Sequence, residues 1–162
     1  MWGILPLIIL LTIWTIFKLF NKPATSLKPR ELTEEEQKQF HYSCLYNALV
    51  LFAATPEYLE SLAGPVFDPL TEIESDFEYA FGDYIFEQNF KNNFVKEEMR
   101  IPLLQFKDQV DALPSNLWTW ESLKTDSEWI SLRKSADEVL NRIGDKRREY
   151  DFSFTTTITV DT

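Results

Sequence analysis

Two sets of residues in this chain have the types and spacing for chemistry. The first is His41 and Cys44, the only histidine and the only cysteine. Three residues apart on a helix, they lie about one turn from each other, close enough for an imidazole base beside a thiol nucleophile. Such a pair needs a third group to orient the base, and none is evident. The following run, "CLYNALVLFAA", points to burial, which makes both side chains ordinary core. As soft metal ligands the two supply half of the four that a structural zinc takes. The second set is acidic. Glu72, Asp76, Asp83 and Glu87 lie in "EIESDFEYAFGDYIFEQNF", residues 72–90, which holds six acids and six aromatic rings with no lysine or arginine. Four carboxylates could chelate a hard cation, but di-metal carboxylate bundles use Glu-x-x-His pairs, which a chain with one histidine cannot provide. No calcium-loop pattern appears. With glycine only at Gly3, Gly64, Gly82 and Gly144, there is no phosphate-cradling loop either. The expectation is a protein that is not an enzyme, with no cofactor, no metal and no small-molecule substrate.

Surface chemistry is the alternative use for those acids. The formal net charge is −10, yet residues 1–30 carry Lys18, Lys22, Lys28 and Arg30 and no acid, so residues 31–162 carry −14. A body of that sign repels phosphate backbones and anionic lipid, which argues against nucleic-acid binding and favours a basic protein partner. Solubility is the commoner reason for acidity, and it accounts for the charge equally well. The acids are also locally unbalanced. Lys38 and Lys91 bracket 52 residues without lysine or arginine, among which stand nine acids. Wound as one helix at 100° per residue, residues 70–87 place Leu70, Ile73, Phe77, Ala80, Phe81 and Tyr84 on an inward face. Glu72, Asp76, Asp83 and Glu87 then form a side stripe, with Tyr79 and Phe86 beyond it, pointing outward. Acids beside outward rings make a protein-binding surface, since rings supply desolvated contact and charge supplies steering. Gly82 could break that helix and void the geometry.

The elements that must position these residues are helices. Thr33-x-x-Glu36, Thr71-x-x-Glu74 and Thr125-x-x-Glu128 read as capping boxes, and Thr55-Pro56 as a further start. Gly64 and Gly144 read as stops. The helix from Glu34 to about Ala54 is apolar nearly all round in its second half and is expected at the centre of the fold. In the last helix Trp129, Leu132, Ala136, Val139, Leu140 and Ile143 recur at spacings of three and four, which buries one side. Between them, "NNFVKEEMRIPLLQFKDQVDAL" reads as one or two helices interrupted at Pro102, and "LPSNLWTWESL" as an aromatic connection. "DFSFTTTITV" alternates like a strand that could pair with another protein's sheet edge, though a frayed or loosely packed terminus is the commoner cause of such a tail. At the other end "MWGILPLIILLTIWTIFKLF" has no charged side chain before Lys18 and is long enough, over residues 2–20, for one transmembrane helix. Four basic side chains just after it place the rest of the chain in the cytosol, with the protein in the inner membrane. The expected architecture is all-α, a bundle of five or six helices behind one transmembrane helix. Its segments are an anchor (1–20), a spacer (21–30), an acidic helical domain (31–150) and an extended tail (151–162).

Taken together, the segments "EIESDFEYAFGDYIFEQNF" and "ILPLIILLTIWTIF" resemble, in type and not in motif, the immunity proteins of bacterial toxin systems, including contact-dependent inhibition. The resemblance implies a protein that binds and neutralises a cognate, basic toxin, with Glu72, Asp76, Tyr79, Asp83, Phe86 and Glu87 as the contact surface. The membrane anchor departs from the many soluble members and would station the inhibitor where a toxin enters. A membrane-tethered scaffold or assembly factor recruiting a basic protein is the other reading of the same features.

Overall fold

The computed structural model describes residues 32–65 and 67–154. The expected anchor and spacer lie outside them. Among the described residues no helix is long and apolar enough to cross a membrane. The described chain is all-α, as its periodicities imply, with no strand but one isolated bridge between Gly64 and Phe67. It holds seven α-helices where the sequence reading expects five or six. They are α1 (Glu34–Ala53), α2 (Pro56–Leu62), α3 (Pro69–Ala80), α4 (Asp83–Lys91), α5 (Arg100–Asp111), α6 (Trp120–Thr125) and α7 (Ser127–Ile143). Two single 3-10 turns, Glu97–Met99 and Ser115–Leu117, complete the set.

The extra helices have local causes. Helix α3 ends at Ala80, and the chain turns through Phe81 (ψ 4°) and Gly82 (ψ 137°) before α4 begins. Glycine is a poor helix interior, and Asp83 complements the positive end of a new helix. The aromatic connection also contains a helix. Thr119 caps α6, its hydroxyl accepting from Ser122 N–H at 3.1 Å. Pro102, in turn, does not interrupt α5: it sits in the first turn, where its missing N–H has no intrahelical use.

The starts agree in part with the capping boxes. Thr33 and Glu36 form the expected reciprocal box, and Thr55 caps α2 with Pro56 following. At α3 the cap position belongs to Asp68, before Pro69, and the Thr71 hydroxyl donates to Asp68 Oδ2 at 2.9 Å from inside the helix. At α7 the cap is Asp126, which accepts from Glu128 N–H at 2.8 Å, while Thr125 ends α6. At α7 the carboxylate is the acceptor for an orphan N–H group, whereas Asp68 makes no side-chain bond to the N–H groups of α3. Gly144 ends α7 in the left-handed region at φ +92°, where a Cβ is strained.

Helix α1 runs through the centre, packing against α3 and α4 on one side and α7 on another. Leu45, Ala48, Leu49, Val50 and Leu51 are each 0–1% exposed, and each leucine so buried contributes about 1.5–3 kcal/mol. Phe52 gathers the rings of Phe77, Phe106, Trp118 and Trp129 at centroid distances of 5.4–6.4 Å. Trp129, Leu132, Ala136, Val139 and Leu140 of α7 are buried against this cluster, with Ile143 packed beside it. Arg133, at the edge of that buried face of α7, is half-buried: its guanidinium donates to Ala54 O (2.8 Å) and Leu123 O (2.9 Å), tying down carbonyls left over at the ends of α1 and α6.

One side of α1 is polar, and residues 145–154 lie over it. Tyr42 donates to Asp145 Oδ2 at 2.9 Å and Tyr46 to Glu149 O at 2.8 Å. Asn47 takes both backbone groups of Asp151, donating to its carbonyl (3.0 Å) and accepting from its N–H (2.8 Å). Asp151 and Phe152 have no regular secondary structure and Ser153 and Phe154 form a turn; the rest of the expected strand-like tail lies outside the described residues.

Candidate functional site

Breaking the helix at Gly82 redistributes the expected contact surface. Glu72, Asp76 and Tyr79 ride on α3, whereas Asp83, Phe86 and Glu87 ride on α4, so no single stripe joins them. Phe86 points inward. It is 6% exposed and packs between Phe81 and Phe90 at 5.6 and 5.1 Å. Tyr84, placed inward by the continuous wheel, is 67% exposed, its edge against the His41 ring at 5.6 Å. The turn at Gly82 resets the helical phase and exchanges the two. Tyr79 is outward as expected, at 51% exposure.

The carboxylates divide into paired and unpaired groups. Glu87 is held by Arg100, which also grips Glu97 and lies over the Phe90 ring at 4.1 Å. Glu60 pairs with Lys124. Among the described residues, Glu72, Glu74, Glu78 and Asp83 have no ion-pair partner. Glu74 and Glu78, one turn apart on α3, are exposed with Tyr79, and Asp83 and Tyr84 are exposed at the start of α4. The sequence reading left out Glu74 and Glu78. Their spacing of four was visible, but they fell outside the stripe drawn through Glu87.

Glu72 and Asp76 occupy the flank of α3 that faces α1 and the C-terminal segment. Both are half-buried. Asp76 Oδ2 accepts from the Tyr150 hydroxyl at 2.9 Å, and no basic side chain pairs with it among the described residues. Burial pushes its carboxyl up to about 6, with Glu72 adding to the rise and the Tyr150 bond opposing it. The carboxylates nearer the tail are balanced: Arg147 pairs with Asp145 at 2.7 Å, holding that carboxyl low, and Arg148 pairs with Asp137 at 2.8 Å.

Beside Asp76 opens a crevice of about 210 Å³ lined by Phe40, Ser43, Cys44, Asn47, Tyr79, Tyr150, Asp151 and Phe154. The Phe40 ring stands 6.1 Å from Tyr79 and 5.7 Å from Phe154. Burial, and then the Asp76 charge, push the Cys44 thiol up to about 12, the reverse of the lowered value that activates a nucleophile. Burial likewise lowers His41, favouring the neutral imidazole. No group of three or more metal-ligating side chains comes together among the described residues. Comparison with protein-family models, with curated proteins and with solved structures finds no match to this chain.

Proposed function

We propose that this chain is a membrane-anchored immunity protein whose acidic α3–α4 face binds and neutralises a basic protein toxin. The observation that carries the reading is the exposed set Glu74, Glu78 and Asp83 beside Tyr79 and Tyr84, for which no cation pairs among the described residues. Rings in half-exposed positions give a partner area to desolvate, and unpaired carboxylates give it a field to follow. The anchor at residues 2–20 would concentrate the inhibitor at the membrane, raising encounter rates without new contacts. A tethered scaffold for a basic partner would use the same face.

The test is affinity capture with the full-length protein in neutral detergent, followed by binding kinetics on the partner identified. A basic protein is expected, with an association rate falling at least tenfold between about 0.01 and 0.15 M salt as the Debye length shrinks from about 30 to 8 Å. Reversal of both exposed acids, Glu74→Lys with Glu78→Lys, should slow association by a similar factor while leaving the helical signal intact. Association indifferent to salt and to the double reversal would overturn the reading. Co-expression with the captured protein separates the two uses: rescue from its toxicity marks an immunity protein, and recruitment without toxicity marks a scaffold.

A further inference from the structure

The crevice beside Asp76 differs from the open face of α3. It is bounded by two helices and the C-terminal segment, its rim is aromatic (Phe40, Tyr79, Tyr150, Phe154), and one wall is a carboxylate. Among the described residues that carboxylate has a single hydroxyl donor, Tyr150, and no cation, whereas Asp145 and Asp151 nearby have Arg147 at 2.7 and 3.9 Å. The other groups that face it or shape its potential are Glu72, Cys44, Tyr79 and Asp151. Each is negative or neutral, and among the described residues no lysine or arginine lines the crevice. Ring faces attract cations through their quadrupole, and a carboxylate at the base fixes where the charge stops. At about 30 Å³ for one water in the liquid, 210 Å³ equals about seven waters, room for the four to six heavy atoms of a lysine or arginine side chain beyond Cβ.

We propose that this crevice is a receptor for one basic side chain, a lysine ammonium or arginine guanidinium of the protein partner, with Asp76 as its counter-ion and Phe40, Tyr79 and Phe154 as its walls. The proposal rests on the reading of a basic partner and adds the anchoring point: the open acidic face steers, and the crevice holds. Burial keeps Asp76 short of solvent in the free protein, so an entering cation gains a carboxylate that water serves poorly.

Cys44 supplies the measurement, because it lines the crevice and is the only cysteine in the chain. Full-length protein in neutral detergent at pH 8 is reacted with two methanethiosulfonates of equal size, one carrying trimethylammonium and one sulfonate. The ratio of their rates, divided by the same ratio for a free cysteine peptide, reports the local preference for a cation and cancels the thiolate fraction. The normalised ratio should exceed ten, fall about tenfold in Asp76→Asn, and change less than twofold in Glu74→Gln, which removes an equal charge from the open face. Propylguanidinium should protect Cys44 in the wild type and not in Asp76→Asn. If Asp76→Asn does not fold, the wild-type ratio read from pH 8 to pH 5 serves instead, and should collapse as Asp76 takes up a proton near pH 6. Equal effects of Asp76→Asn and Glu74→Gln, a pH-independent ratio, or no protection by propylguanidinium would overturn the proposal. None of these results touches salt-dependent capture of a basic partner, so a failed receptor and a failed partner reading are told apart.

Discussion

A carboxylate moved half out of water resists ionisation unless a cation or several donors stand beside it, and Asp76 has one tyrosine hydroxyl. Its carboxyl, raised from 3.8 to about 6, binds a proton more tightly in the folded chain than in the unfolded one. Between those two values the folded state holds the greater number of protons, so this group's contribution to stability declines as pH rises through the window and reaches its full cost above pH 6. Asp76→Asn keeps an oxygen for Tyr150 and removes the charge. At pH 7.5 it should therefore stabilise the fold by about 1–2 kcal/mol, after allowance for the solvent that screens a half-exposed group. The gain should vanish as pH falls toward 4, in chemical denaturation followed by tryptophan fluorescence; a constant difference across that range would contradict the burial argument. The same scale shows where sequence reasoning stops. Phe86 and Tyr84 have nearly equal hydrophobic patterning around them, and only the turn at Gly82, which shifts the phase of α4 against α3, decides which ring is core. Asp76 could be named as a surface acid from spacing, but its half-burial depends on Tyr150, 74 residues on.

At the scale of elements, α1 has to be apolar for the bundle and polar for the segment at 145–154. Tyr42, Ser43, Tyr46 and Asn47 meet that second demand, and three of the four reach backbone or carboxylate oxygen within 3.0 Å. Asn47 reads the backbone of Asp151 as a neighbouring strand would, donor to acceptor and acceptor to donor. Asn47→Ala leaves that N–H and carbonyl without partners, at roughly 1–1.5 kcal/mol for each bond lost. The segment should open about tenfold or more often, and trypsin should cut after Arg147 or Arg148 correspondingly faster, while α7 keeps its protection. Cleavage at the wild-type rate would mean that the bonds of Tyr42 and Tyr46 and the ring contacts of Tyr150 and Phe152 hold the segment without Asn47. The two long helices were legible because their periods are long and one-sided. At α3 two patterns compete: Asp68-Pro69 repeats Thr55-Pro56 and is the true start, while Thr71-x-x-Glu74 also fits a capping box and lies three residues further along, inside the helix. The covering of α1 by residues 145–154 was not legible, because a polar residue in an apolar helix does not announce what it will bond.

For the whole molecule, charge sets the balance. Residues 31–162 carry −14, while their cations are largely committed to local pairs such as Arg100 with Glu87 and Glu97, or Arg148 with Asp137. Exposed pairs of this kind are worth about 0–1 kcal/mol each and weaken with salt, whereas the surplus of like charge destabilises the compact state at low salt. With the surplus this large, screening should help: the thermal midpoint is expected to rise by about 2–4 °C between 0.01 and 0.15 M sodium chloride, read by circular dichroism. A falling midpoint would show that the pairs outweigh the repulsion. The all-helical class and the acidic excess follow from composition and period. The division of that excess into a free face and a crevice follows from tertiary packing.

The bonds that Tyr42, Tyr46 and Asn47 make are separated by 103 or 104 positions in the chain. On a ribosome adding about 5–20 residues per second, α1 is complete several seconds before its covering segment exists. For that interval its polar row stays hydrated and the neighbouring rings of Phe40 and Tyr79 lack Phe154. The nascent chain thus passes through a stage in which α1 has α3 to α5 to pack on but neither α7 nor the covering segment, and that stage is where holding factors or premature association would compete for it.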